Sequence, residues 1–150
     1  MSKAKLSDIM NKRLVIIKCN SSIKDIAEIM AAKRVSAVVL VDSGRPVGIL
    51  TERDLARQVC ANDLTASKTP ATALMSAPVV AVGADLTMQD AAEVMVKNGV
   101  RHLAVENKKH RLVGMVTATD FARYTGRKAF GESTVLDLLY PYEEMGEEMP

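Results

Sequence analysis

One ten-residue stretch occurs twice in the chain. Gly48-Ile-Leu-Thr51-Glu-Arg-Asp54-Leu-Ala-Arg57 returns 66 residues later as Gly114-Met-Val-Thr117-Ala-Thr-Asp120-Phe-Ala-Arg123. Upstream, the halves match at an offset of 65: Met10 with Met75, Asp25-Ile-Ala-Glu-Ile-Met30 with Asp90-Ala-Ala-Glu-Val-Met95, and Val35 with Val100. The offset changes between Asp42 and Arg45, where Gly44 marks a turn, and a turn absorbs an extra residue without shifting the strands on either side. The chain must therefore build one supersecondary unit twice. Units of roughly 65 residues are marginal alone, so the two are expected to share a core.

Apolar residues make up 48% of the chain but aromatics only 3%, so that core has to be aliphatic, softened by nine Met. A formal charge of +2, with signs interspersed, gives no field that points to nucleic acid. Cys19 and Cys60 lack CxxC spacing, and Lys3 and Lys5 are followed by no apolar run of signal-peptide length, which suits a reducing cytoplasm. Charged residues interrupt every stretch that approaches the roughly 20 apolar residues of a membrane span.

The periodicity predicts the same elements in each half. Ile23, Ile26, Ala27 and Met30 share one helical face, as do Met88, Ala91, Ala92 and Met95. Ser21 or Ser22 caps the first of these helices, while Asp85 leads into the second and Asn98-Gly99 closes it. Strands are predicted at Leu14–Ile17, Ala37–Val41 and Pro46–Leu50, and again at Val79–Val82, His102–Val105 and Leu112–Val116, the later pair of each half forming a hairpin. A second helix starts after Thr51 and Thr117, each followed three residues on by an acid, as in a capping box. Leu6 to Met10 and Thr72 to Met75 read as short helices packing across the pair. Boundaries are placed at 1–61 and 71–131 for the two units, with a polar linker at 62–70; residues 132–150 hold a short helix, Val135 to Leu139, and an acidic tail. The repeated pattern is strand, helix, strand, strand, helix, a mixed α+β fold.

A duplicated unit of this order, ending in Gly-h-h-Thr-x-x-Asp with h apolar, resembles the cystathionine β-synthase (CBS) domain, and two in tandem resemble the CBS pair called a Bateman module. The resemblance spans residues 5 to 140. It implies two β-α-β-β-α units packed sheet to sheet about a pseudo-twofold axis, two equivalent clefts, and pairs that dimerise into a disc.

It also gives the repeated residues a role. Asp54 or Asp120 can accept charge-assisted hydrogen bonds from a ribose diol. The Thr51 or Thr117 hydroxyl sits at a helix start, where backbone N–H groups favour a phosphate. Ile17, Ala37 and Ile49 in one half, with Val82 and Met115 in the other, would sandwich a purine. Arg101 and His102 stand where nucleotide-regulated members carry basic residues reaching phosphates, whereas the first half has Ser36 and Ala37 there, which implies unequal clefts. Arg53 is a further phosphate candidate, and its counterpart Thr119 is uncharged. Each Thr–Asp pair also reads as a plain helix cap, and Arg101-His102 as an exposed strand start. Lys108-Lys-His-Arg111 is a solvated hairpin tip, and Arg123, Arg127 and Lys128 suit a helix C-terminus.

No metal-ligand spacing, phosphate-loop glycine pattern or nucleophile motif is present, and with only two His and two Cys no independent catalytic centre is evident. The expected function is a regulatory sensor without a required cofactor. Its ligand is AMP, ADP or ATP, ahead of S-adenosylmethionine or NAD(H), and it acts as a homodimer on a separate effector protein. The alternative is a constitutive docking module with vestigial clefts.

Overall fold

Side-chain alternation builds two sheets that each have two apolar faces, and the whole architecture follows from what covers each face. The structure, a computed structural model, describes residues 4–130, with side chains as far as Gly126. The expected Val135–Leu139 helix, the acidic tail and the side chains of Arg127 and Lys128 lie outside the described residues.

After a short α1 (Leu6–Ile9), the first unit runs β1 (Ile16–Lys18), α2 (Ile23–Lys33), β2 (Ala37–Asp42), β3 (Arg45–Thr51) and α3 (Glu52–Asp54), which continues as a π-helical turn, Leu55–Cys60. The second runs β4 (Ala81–Gly83), α4 (Met88–Asn98), β5 (His102–Glu106), β6 (Leu112–Thr117) and α5 (Ala118–Phe130). Each unit forms a three-stranded sheet in chain order, the first two strands parallel across a helical crossover and the last two an antiparallel hairpin. The first hairpin turns on Ser43 and Gly44, both at positive φ (50° and 76°), the conformation of a tight two-residue loop that Gly favours. The second has the extra residue, and Asn107 holds its longer loop by accepting from Lys109 N–H and Arg111 N–H at 2.9 and 3.1 Å.

Helix ends follow local chemistry. Ser22 caps α2 by accepting from the Asp25 N–H. At α4 the cap is Thr87, accepting from the Asp90 N–H, and not Asp85, which stands two residues too early to reach a first-turn N–H. Gly99 closes α4 at φ 62°, and in the first unit Arg34 occupies the same left-handed position at φ 51°.

Val38, Leu40 and Leu50 point to the helical side and join Ile23, Ile26 and Met30 in one core; Leu103, Val105 and Val116 do so with Ala91 and Met95 in another. The opposite faces meet each other: Val39 and Ile49 of the first sheet pack against Met115 of the second, flanked by Leu14, Ala37, Val79 and Leu112. This is the expected sheet-to-sheet pairing of two β-α-β-β-α units.

The segments before each unit are exchanged between the two. Leu6, fully buried, lies in the second core, with Leu6 N–H donating to Leu86 C=O and Ser7 N–H to Ala84 C=O, each at 3.0 Å. Asn11 and Met115 exchange backbone bonds of 2.8 and 3.0 Å. Reciprocally, Ala71 and Leu74 are buried in the first core, and Ser76 exchanges bonds of 2.9 and 3.0 Å with Ile49. The linker is tied down as well, since Thr69 C=O accepts from Ile23 N–H at 2.9 Å. Each strap lays a methionine over a glycine: Met75 over Gly48, and Met10 over Gly114. A side chain at either glycine would occupy the space the strap needs.

Candidate functional site

The segment Gly-h-h-Thr-x-x-Asp makes a strand run straight into a helix, and the Thr at the junction must satisfy the first N–H groups of that helix. In both units it does so reciprocally. Asp54 N–H donates to Thr51 Oγ1 (3.2 Å), while Thr51 N–H and Thr51 Oγ1–H donate to Asp54 Oδ2 (2.9 and 3.0 Å). Thr117 and Asp120 repeat the arrangement at 3.2, 2.8 and 3.1 Å. The next N–H groups are committed too, Glu52 N–H to Ser36 C=O at 2.9 Å and Ala118 N–H to Arg101 C=O at 3.1 Å.

These bonds redistribute the expected roles. Each Thr hydroxyl gives its proton to the carboxylate, and the bond orients Asp54 and Asp120. A carboxylate offers about four acceptor positions, two on each oxygen. Oδ2 is filled by its Thr, and Oδ1 carries the capacity left for a diol.

Both pairs line one cleft of about 890 Å³ between the units, where two separate clefts were expected. The straps and the paired sheets bring the two helix starts to the same side. Thr51, Asp54, Thr117, Asp120, Arg101, His102, Ser36, Ala37, Ile49, Arg53 and Met115 all line it. Ile17 and Val82 do not. Ile17 pairs with Leu40 and Val82 with Val105, residues on the helical side, so both pack into the unit cores. Their places on the cleft wall are taken by Val15 and Val80, two residues earlier, where the chain has not yet entered the strand.

Charge on the wall is mostly positive. Six arginines (Arg13, Arg34, Arg53, Arg57, Arg101 and Arg123) face three carboxylates, Glu52, Asp54 and Asp120. Arg57 and Arg123 were legible as part of the repeat, but Arg123 was assigned to the helix dipole and Arg57 was given no role. Arg34 was hidden because the residue that closes a helix in the left-handed region is normally Gly or Asn. Burial lowers the pKa of His102, reinforced by the Arg101 and Arg53 charges and opposed by Asp120 and Asp54. It is a neutral polar group at pH 7. Burial raises the pKa of Asp120, opposed by the Thr117 bonds and by the Arg123 and His102 charges. Arg123 Nη1 stands 3.7 Å from Asp120 Oδ1. No group of three or more His, Cys, Asp or Glu that could hold a metal ion occurs among the described residues, and none of their helices is long and apolar enough to cross a membrane.

The family model for the CBS domain matches residues 6–60 and again 71–126, so each match ends just beyond its Thr–Asp pair. The chain belongs to the CBS domain family. Its two CBS units are 32% identical over 120 residues to an uncharacterised 17.7 kDa protein of Acidianus ambivalens, covering 79% of this chain and 71% of that one. In several other relatives the matched part is under half of a longer protein. Two solved structures share the fold and hold ligands. A CBS domain pair in complex with 5′-methylthioadenosine and S-adenosyl-L-methionine has a TM-score of 0.72 at 27% identity, covering 85% of this chain and 99% of that one. A CBS domain protein from Pyrobaculum aerophilum complexed with AMP has a TM-score of 0.67 at 29% identity, covering 78% and 89%.

Proposed function

We propose that this CBS pair is a regulatory sensor whose cleft takes an adenine nucleotide or adenosyl compound and converts its presence into a change in the relation of the two units. The observation that carries this reading is the pair of carboxylates, each fixed by its threonine through Oδ2 and both lining one arginine-rich cleft. A fixed acceptor reads a ribose diol, and the arginines favour a phosphate, so AMP, ADP or ATP suits the wall better than S-adenosylmethionine or NAD(H). That relatives of the same fold hold AMP, 5′-methylthioadenosine and S-adenosyl-L-methionine supports the adenosine part.

The ligand would act by touching both units at once. It can shift a two-state arrangement only by its difference in affinity between the states, and a cleft whose two walls belong to different units provides that difference. The same reading has the protein act without chemistry of its own, as a cytoplasmic homodimer, on a separate effector protein.

Thermal unfolding against adenosine phosphates, guanosine phosphates and S-adenosylmethionine tests it. A ligand at about 100 times its Kd adds roughly 2.7 kcal/mol, a rise of several degrees in the midpoint. Shifts confined to adenosyl ligands and reduced by Asp54→Ala or Asp120→Ala are expected. No shift in nucleotide-free protein would replace the sensor with a docking module.

A further inference from the structure

Signs of charge are interspersed along most of the chain but not beyond residue 130. All 20 basic residues lie within residues 1–130, together with 12 of the 18 acids, which gives that part +8; residues 131–150 hold the other six acids and no basic residue, which makes −6. Four of the six stand together as Glu143-Glu144 and Glu147-Glu148. So dense a run of one sign is drawn to the strongest opposite field within its reach.

That field lies in the cleft, whose wall sets six arginines against three carboxylates around about 890 Å³. A concave wall with an excess of one sign concentrates its potential, whereas a convex surface loses it to salt within a Debye length of about 8 Å. The other basic cluster, Lys108, Lys109 and Arg111, is of the convex kind, an exposed hairpin tip with Glu106 at 3.1 Å from His110. In the cleft, Arg53, Arg57 and Arg101 are exposed to an incoming anion. Their guanidinium groups take a carboxylate and a phosphate by the same two-pronged geometry, so the two compete.

Reach is ample. Asp120 and Arg123, near the start of α5, line the cleft, and Phe130, the last described residue, stands about 10 Å further along the helix. The chain from 131 to 143 can span roughly 45 Å. A tether of that kind holds its end at an effective concentration of about a millimolar, enough for contacts that separate molecules would not form.

We propose that the acidic segment Glu143–Glu148 of this chain occupies the arginine-rich wall of its own cleft until a phosphorylated ligand displaces it. The docking rests on charge and reach; the displacement rests also on the adenosyl reading above.

Cleavage of the ligand-free full chain by a glutamate-specific protease, read by mass spectrometry at Glu143 and Glu144, tests it, because docked residues are withheld from the protease. Combining Arg53→Gln, Arg57→Gln and Arg101→Gln is expected to speed that cleavage at least about threefold, the effect of three exposed ion pairs at the weak end of their range. Saturating AMP does the same in the unsubstituted protein, and combining Lys108→Gln, Lys109→Gln and Arg111→Gln does not. In calorimetry, the full chain with Glu143→Gln, Glu144→Gln, Glu147→Gln and Glu148→Gln binds AMP at least about threefold more tightly, while its adenosine affinity moves less. An unchanged rate in the arginine variant, or faster cleavage in the hairpin-tip variant instead, overturns the docking. Protection that vanishes on dilution assigns the segment to a neighbouring copy and overturns the intramolecular form. Equal AMP affinity with and without the four glutamates overturns the competition. If AMP does not bind and the arginine variant is still cleaved faster, the adenosyl reading falls and the docking stands.

Discussion

The first and second units differ least where they fold and most where they face the cleft. Both keep the Thr–Asp capping box, the methionine strap over glycine, the buried strand centre and the left-handed helix close. They part company at the wall: Ala37 against His102, Arg53 against Thr119, Arg34 against Gly99, a π-helical turn against an α-helix. Duplication supplies a symmetric frame, and the side chains that project from it into one cleft are free to make the two halves unequal. Substitutions that exchange the halves, or load both equally, show which asymmetries carry energy.

The largest difference is expected at the straps. The nearest neighbour of a methyl group at Gly48 is the Met75 side chain, whose thioether end can swing aside. At Gly114 it comes within 2.8 Å of Met10 Sδ and also within 2.9 Å of the Asn11 carbonyl oxygen, which is backbone and is bonded to Met115 N–H. Gly114→Ala should therefore cost about 1–3 kcal/mol, as overpacking does, and Gly48→Ala clearly less. Urea unfolding of both variants checks this. Adding Met75→Ala should recover Gly48→Ala, whereas Met10→Ala should recover Gly114→Ala only in part. Equal losses at the two glycines would mean that the straps are interchangeable.

The caps should break evenly. Thr51→Val and Thr117→Val each remove the hydroxyl that accepts from the third helical N–H and donates to the carboxylate. About 1 kcal/mol is expected for each by urea unfolding, within the 0.5–2 range for lost caps. A large inequality would show that α5, longer and regular, depends on its start differently from α3 and its π-helical extension.

The particular residues show how far the sequence could be read. The repeat located both capping boxes, the hairpins, the short segments that pack across the pair and eleven of the residues that line the cleft, because these depend on local spacing: a threonine with an acid three residues on, an apolar alternation, a glycine at a turn. Ile17 and Val82 were misplaced because where a chain enters a sheet depends on pairing with β2 and β5, which no local pattern gives. The π-helical turn that follows Asp54 has no local signature, since Leu55-Ala-Arg-Gln-Val-Cys60 suits an α-helix equally well.

A smaller effect separates the units by pH. Below the ordinary 6.5 of histidine, His102 takes up its proton more readily in the unfolded chain, so its contribution is intact above that value and declines as the pH falls toward the lower folded pKa. Asp120 runs the other way. Its folded carboxyl holds a proton above the ordinary 3.8, so the associated stability is full below 3.8 and is lost as the pH rises through the folded value. His102→Ala, which gives the second unit the residue of the first, should flatten the fall in melting midpoint between about pH 7 and 5. Asp120→Asn should act at the acid end, removing the stability gained as the pH falls toward 3.8. An unchanged pH profile in His102→Ala would mean that the imidazole is as well hydrated in the folded chain as in the unfolded one.

The smallest effect on stability, and the most direct test of why the halves differ, lies at the close of α2. Arg34 is held at φ 51°, where Gly99 closes α4 at φ 62°. A left-handed conformation costs a residue with a Cβ about 1–2 kcal/mol, and replacing it with glycine loosens the unfolded chain by about 0.4–1 kcal/mol in the opposite sense. Arg34→Gly should therefore change stability by under about 1 kcal/mol, on the stabilising side. Arg34 also lines the cleft; if its guanidinium reads phosphate, the same substitution should weaken AMP binding while leaving adenosine binding nearly unchanged. If both ligands lose affinity equally, Arg34 shapes the cleft wall and does not read phosphate. If neither does, the conformation at residue 34 belongs to the fold alone.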